Sequence, residues 1–178
     1  MRLRNLIAVA CSLSLSGCSY VYSLAATKIG ERLAFVVSPR FPRKPNCIRS
    51  IEVRAEGDVH ADPAPGDDRR SVLDGVFWEK SFDVKGCENP FPVFYGAPLK
   101  GGPFRWYPEG GPISAEERDY VQRMRAGVAA KPLRIGVIYE VSTTSGGGGS
   151  GGCRFRILAD GSVETLSEEQ AASDSSPR

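Results

Sequence analysis

The sequence predicts a mainly β fold, an antiparallel β-sandwich or open barrel of about seven short strands with one inserted surface helix. Three observations point there. Apolar residues recur at period two in short segments, the spacing that puts one face of a strand on a core. Gly and Pro, 20 and 13 of the 178 residues, fall between those segments where turns are needed. Only one segment carries the start signals of a helix.

Tyr20-Val21-Tyr22-Ser23-Leu24 and Leu33-Ala34-Phe35-Val36-Val37 are rich in β-branched and aromatic residues and read as strands. Between them Lys28-Ile29-Gly30-Glu31-Arg32 offers a glycine to turn on, while Ala25-Ala26 would also tolerate a helix. Hairpin and helix-then-strand both stay open. Pro39, Pro42 and Pro45 fix φ and withhold ladder donors, so 39–45 is a loop or extended connector, made basic by Arg40, Arg43 and Lys44. Ile51-Glu52-Val53-Arg54 alternates as a half-buried strand, and 55–71 turns to Asp, Gly, Pro and Ala, a long surface loop. Val76, Trp78, Phe82 and Val84 then share one strand face, with Phe77, Glu79, Ser81 and Asp83 on the other; this predicts a central strand anchored by Trp78.

Phe91 to Gly96 reads as a short strand, followed by a turn at Lys100-Gly101-Gly102-Pro103. Ser114-Ala115-Glu116-Glu117 matches a capping box, in which Ser accepts from the third helical amide and Glu reaches back. A helix over 115–125 follows, with Tyr120, Val121 and Met124 at helical spacing. Leu133, Ile135, Val137, Tyr139 and Val141 predict one long strand, and 145–152, with six glycines, a hairpin loop. Arg154 to Leu158 and 163–166 complete the strands around an Asp160-Gly161 turn. The polar tail 167–178 reads as disordered.

The amino terminus has its own logic. Arg2 and Arg4 precede an apolar run over 6–15, the charged and hydrophobic regions of a secretory signal. As a helix this run spans only about 15 Å, half a bilayer's hydrocarbon core. It ends in Leu15-Ser16-Gly17-Cys18, which resembles the lipobox of bacterial lipoproteins at all four positions. The resemblance implies diacylglyceryl transfer to the Cys18 thiol, cleavage after Gly17 and acylation, palmitate for example, of the new amino terminus. Ser19 stands where Asp would mark inner-membrane retention in that family. This implies a lipid anchor in the outer membrane, facing the periplasm. The stretch 132–141, the glycine run and Arg154-Phe155-Arg156-Ile157 are similar to the C-terminal third of small proteobacterial lipoproteins with no assigned activity. The chain then divides into a signal peptide (1–17), a lipidated segment that is tether or first strand (18–28), one β-rich domain (29–166) and a tail (167–178).

Charge bounds the partners. With 23 basic and 21 acidic residues the net charge is +2, and losing Arg2 and Arg4 with the signal brings it to zero. Electrostatics therefore gives no case for nucleic acid. Cys47, Cys87 and Cys153 would face an oxidising compartment, where structural disulfides persist. Three single bridges are possible, and strand order favours Cys47 with Cys87, since one precedes the Ile51 strand and the other follows the Trp78 strand. Such a bridge closes a loop worth about 4 kcal/mol in the chain-entropy account.

Catalytic motifs are weak. Gly148-Gly149-Ser150-Gly151-Gly152 spells G-x-S-x-G, but a nucleophile elbow needs a strand-to-helix turn and strand character follows. His60, the single histidine, cannot build a multi-histidine zinc site. Its acidic neighbours Glu56, Asp58, Asp62, Asp67 and Asp68 lack calcium-loop order and sit beside Arg69 and Arg70. No catalytic residue, metal ligand or cofactor is assigned. Phe91, Phe94, Tyr95, Phe104, Trp106 and Tyr107 lie on Gly/Pro-rich loops; of these Phe94, Tyr95, Trp106 and Tyr107 are the candidate ligand contacts, suited to a sugar or peptide. The expected function is a non-enzymatic binding or accessory module on a lipid anchor, with the membrane and an envelope protein or glycan as partners. The alternatives are an envelope enzyme acting on cell-wall or glycan material, or a structural subunit of an envelope complex.

Overall fold

The computed structural model describes residues 19–39, 45–83, 88–105 and 113–166. The first strand, β1 (Tyr20–Ile29), buries Tyr22, Leu24 and Ala26 and turns the residues between them outward. It forms an antiparallel hairpin with β2 (Arg32–Val37), Ile29 facing Arg32. Residues 20–28 are thus strand and not tether. In chain order there follow β3 (Ile48–Ala55), α1 (Arg69–Leu73), β4 (Val76–Ser81), β5 (Val93–Phe94), α2 (Ala115–Ala126), β6 (Ile138–Ser145), β7 (Gly149–Ile157) and β8 (Val163–Leu166).

The strands form one sheet in the order β4-β3-β6-β7-β1-β2-β5, all pairs antiparallel except β1 with β7. β1 turns the corner of this sheet. Tyr20 to Ser23 pair with the first half of β7, and Leu24 to Ile29 pair with β2. Where β1 leaves β7, β8 takes its place beside Arg154 to Ile157. The Thr165 hydroxyl then bridges back to β1, accepting from the Ala26 amide at 2.9 Å and donating to the Ala26 carbonyl at 3.0 Å.

The curled sheet wraps a single core of Ile51 and Val53, Trp78, Tyr139 and Val141, Phe155, Phe35 and Leu24. Phe155 lies at its centre, with ring centroids 5.5 Å from Phe35 and 5.6 Å from Tyr139. The two ends of the strand order approach each other through Tyr95. Its amide donates to Leu33 of β2, and its hydroxyl donates to the Lys131 carbonyl at 2.7 Å with the Phe77 carbonyl of β4 at 3.1 Å. The architecture is a mainly β open barrel, as the sequence predicts.

Four elements differ from the sequence-based expectations. β4 is not central: it ends the strand order, and Phe77 is buried as deeply as Trp78. The cause is a register shift between Val53 and Arg54, which leaves Phe77 as an extra residue in β4. The local irregularity lets both rings face inward, Phe77 against Tyr139 and Trp78 against Tyr95, with centroids 5.2 and 5.3 Å apart. The open edge of β4 is covered by the chain at Val128 and Lys131, whose amides donate to Glu79 and Phe77. Phe82 lies past the strand's end, and Val84 falls outside the described residues. The 55–71 loop, secondly, closes in α1, capped by the Asp68 carboxylate on the Ser71 amide.

The strand predicted over 133–141 begins only at Ile138. Gly136 adopts φ 79°, a left-handed conformation that interrupts an extended run, and Ile135 is exposed. The glycine-rich hairpin loop over 145–152, lastly, is mostly strand. A single turn occupies Gly146–Gly148, and Gly149 already belongs to β7. The tail 167–178 lies outside the described residues.

Candidate functional site: a cleft between the helix and the sheet

The same glycines shape the surface. Tyr20 pairs with Gly149 and Tyr22 with Gly151 across the parallel ladder. A Cβ on Gly149 would lie 2.4 Å from the Tyr20 ring, and one on Gly151 would lie 2.2 Å from the Tyr22 ring. The two tyrosines therefore lie over bare backbone, and only glycine fits beneath them. Their hydroxyls reach β6, Tyr20 to Ser145 at 3.0 Å and Tyr22 to Thr143 at 2.8 Å. On the opposite face the strands show small hydroxyl residues, among them Ser142, Thr144 and Ser150.

Helix α2 lies beside this face. Its capping box forms as predicted, with Ser114 accepting from the Glu117 amide and Glu117 accepting from the Ser114 amide. Val121 is its buried residue, whereas Tyr120 and Met124 line a cleft of about 460 Å³ between helix and sheet. Opposite them stand Arg49 and Ser50 of β3, Ser81 of β4 with Phe82 after it, and Thr144 and Ser145 of β6. Gly148, Gly149 and Ser150 close one end, and Phe104 packs edge-to-face on Tyr120 with centroids 5.9 Å apart. The Arg125 Nε holds that loop by donating to the Phe104 carbonyl at 2.9 Å.

Two polar atoms of cleft-lining side chains are buried and have no hydrogen-bond partner among the described residues: Arg49 Nε and Ser81 Oγ. Buried donors are almost always satisfied, and leaving one bare costs about 1 to 3 kcal/mol. Ser50 and Thr144 hydroxyls bond each other at 2.6 Å. The arrangement offers a cation and hydroxyls on one wall and two aromatic rings with a thioether on the other. It suits a ligand with an anionic or polyhydroxyl part beside an apolar part. A shallower groove of about 310 Å³ continues from Ser50, Thr144 and Ser150 toward Val21 and Glu140.

The predicted ligand aromatics are not gathered here. Tyr95 forms the barrel seam described above, and burial pushes its hydroxyl far above the ordinary range. Phe94 belongs to β5, half-buried, with the Arg32 guanidinium 4.4 Å over its ring. Neither lines the cleft: the short β5 sets Phe94 beside Ala34 of β2 and leads directly into Tyr95 at the seam. Trp106 and Tyr107 lie outside the described residues, as do Cys18 and Cys87. Cys47 is buried and in the disulfide-bonded state. Cys153 is a free thiol within β7, pushed up to about 12 by burial, so it stays protonated at neutral pH.

The acids are engaged elsewhere. Asp67 forms an ion pair with Lys131, their side chains 2% and 8% exposed, and also accepts from the Ala64 and Ala129 amides. Glu56 pairs with Arg154, and Asp68 caps α1. No group of three or more metal-ligating side chains occurs among the described residues. Glu79 and Glu52 face each other across β4 and β3, but neither lines the cleft. Burial first, and then the Glu52 charge, raises the Glu79 carboxyl above its ordinary value. Comparison with known proteins finds no matching family, no matching curated protein and no matching solved structure.

Proposed function

We propose that the chain is a lipid-anchored β-domain of the bacterial envelope, held in the outer membrane through Cys18 and facing the periplasm, where it serves as a non-enzymatic binding or accessory module. The observation that carries the binding role is the cleft under α2, with a buried guanidinium nitrogen and a buried hydroxyl left without partners beside an aromatic wall. A hydrolase acting through paired carboxylates would need two acids converging on an open cavity. Glu52 and Glu79, the facing pair, stand apart from this one.

The anchor reading rests on Leu15-Ser16-Gly17-Cys18. The bonded state of Cys47 supports an oxidising compartment. A Cys47–Cys87 bridge fits the chain path, because the Ile48 amide donates to the Asn89 carbonyl at 3.0 Å and so returns the chain to within a few residues of Cys47. Among the described residues no helix is long and apolar enough to cross a membrane. Expression with labelled palmitate tests it. The wild-type chain should take up label and fractionate with membranes, and Cys18→Ser should do neither. A Cys18→Ser variant that still carries label would sink the anchor reading.

A further inference from the structure

We propose that the cleft binds the phosphoryl headgroup of an anionic membrane lipid beside the anchor; this deepens the reading above and rests on it. Position is the first argument. Ser19, the residue after Cys18, packs on the cleft wall: a Cβ on Gly148 would stand 3.6 Å from the Ser19 Cα, and Gly148 lines the cleft. Tyr20 then enters the sheet opposite Gly149, a second lining residue. With consecutive Cα atoms about 3.8 Å apart, no tether separates an acylated Cys18 from this wall. The domain would sit on the bilayer with the cleft at the headgroup level.

Chemistry is the second argument. The Arg49 side chain makes no hydrogen bond or ion pair among the described residues, its Nε is buried, and the residue lines the cleft. A guanidinium forms forked, charge-assisted bonds with phosphate, so a phosphoryl group seated beside Arg49 and Ser81, both of which line the cleft, would give the Arg49 side chain the partner it lacks. Phe104, Tyr120 and Met124 offer apolar surface to the glycerol and first methylenes. The volume, about 460 Å³, suits a headgroup and is too small for whole acyl chains.

The test uses the full-length protein purified in neutral detergent micelles, titrated with phosphatidylglycerol, phosphatidylcholine and inorganic phosphate, with bound ligand counted by native mass spectrometry. Phosphatidylglycerol should be retained about tenfold better than phosphatidylcholine, and Arg49→Gln should remove that preference. Ser81→Ala should weaken it about threefold. Thermal unfolding of each variant checks folding, and if Arg49→Gln does not fold, Ser81→Ala decides alone. Equal retention of the two lipids, or no effect of either variant, overturns the proposal. Inorganic phosphate bound as tightly as the lipid makes this a soluble-phosphate site and overturns the headgroup assignment. The two readings fail separately. Arg49-dependent retention by unacylated protein sinks the anchor alone, and acylated protein without Arg49-dependent retention sinks the cleft alone.

Discussion

Asp67 and Lys131 show how one acidic loop is held to the barrel. Burial raises the Asp67 carboxyl, but the Lys131 ammonium and the Ala129 and Ala64 amides outweigh it and hold the carboxyl below its ordinary value of 3.8. A carboxylate with a depressed folded pKa contributes stability above its unfolded pKa and loses it as pH falls through the folded one. Asp67→Asn should therefore cost about 3 to 5 kcal/mol at pH 7 by leaving a buried ammonium unpaired. Denaturant unfolding from pH 7 to pH 2 should show the acid limb diminished in the variant. Glu79 has the opposite sign. Its carboxyl is raised from 4.5, so its contribution is fully present below pH 4.5 and is lost as pH rises through the folded value. Glu79→Gln keeps an acceptor oxygen and removes the buried charge. It should stabilise the fold at pH 7 by about 1 kcal/mol, a Tm rise of about 3 °C for a chain of this size, and should leave stability at pH 3 unchanged. A fall in Tm at pH 7 would contradict this.

At the scale of elements, β7 shows what alternation can and cannot reveal. The first half of β1, the strands β2 and β3 and helix α2 were legible because their own side chains carry the period or the cap, whereas Ala25 to Ile29 left hairpin and helix both open. The first half of β7 carries no such signal, since Gly149, Gly151 and Gly152 have no side chains to alternate. For Gly149 and Gly151 the reason lies in Tyr20 and Tyr22, far off in the chain, and for Gly152 in the Val141 carbonyl of β6, 2.6 Å from where its Cβ would stand; both appear only when the strand pairing is known. The burial of Phe77 was hidden for a related reason, because a bulge opposite Val53 and Arg54 depends on the partner strand. Arg49 and Ser81 look like ordinary strand polar residues in sequence, and nothing local marks them as cleft walls. Tyr120 and Met124 were visible as a helix face, though not what that face borders. The Gly151–Tyr22 pair gives a direct check. Gly151→Ala should destabilise by about 1 to 3 kcal/mol, because the new methyl meets a fully packed ring. Adding Tyr22→Ala should make the glycine change nearly neutral in a double-mutant cycle. Full additivity of the two changes would show that the ring does not set the glycine requirement.

For the whole molecule, the decisive contact is the one that brings the ends of the strand order together. An open sheet of this length exposes an edge at each end, and exposed edges recruit other chains. Here β4 is covered by Val128 and Lys131, and β5 is a two-residue strand that passes directly into Tyr95. Tyr95 meets β2 through its amide, the Trp78 ring through its own ring, and β4 and Lys131 through its hydroxyl. Lys131 in turn donates its amide to Phe77 and its ammonium to Asp67, so one loop, both sheet ends and the acidic segment converge on two residues. Tyr95→Phe keeps the ring packing and removes only the hydroxyl, leaving the Lys131 carbonyl short of a donor; the expected cost is about 1 to 2 kcal/mol. Its signature is regional. Amide exchange should quicken at Glu79, Val128 and Lys131, whose amides donate along the seam, and stay slow at Val141 and Phe155 in the middle of the sheet. Uniform acceleration across all these amides would mean that the barrel opens only by global unfolding, with Tyr95 contributing to stability but not to closure.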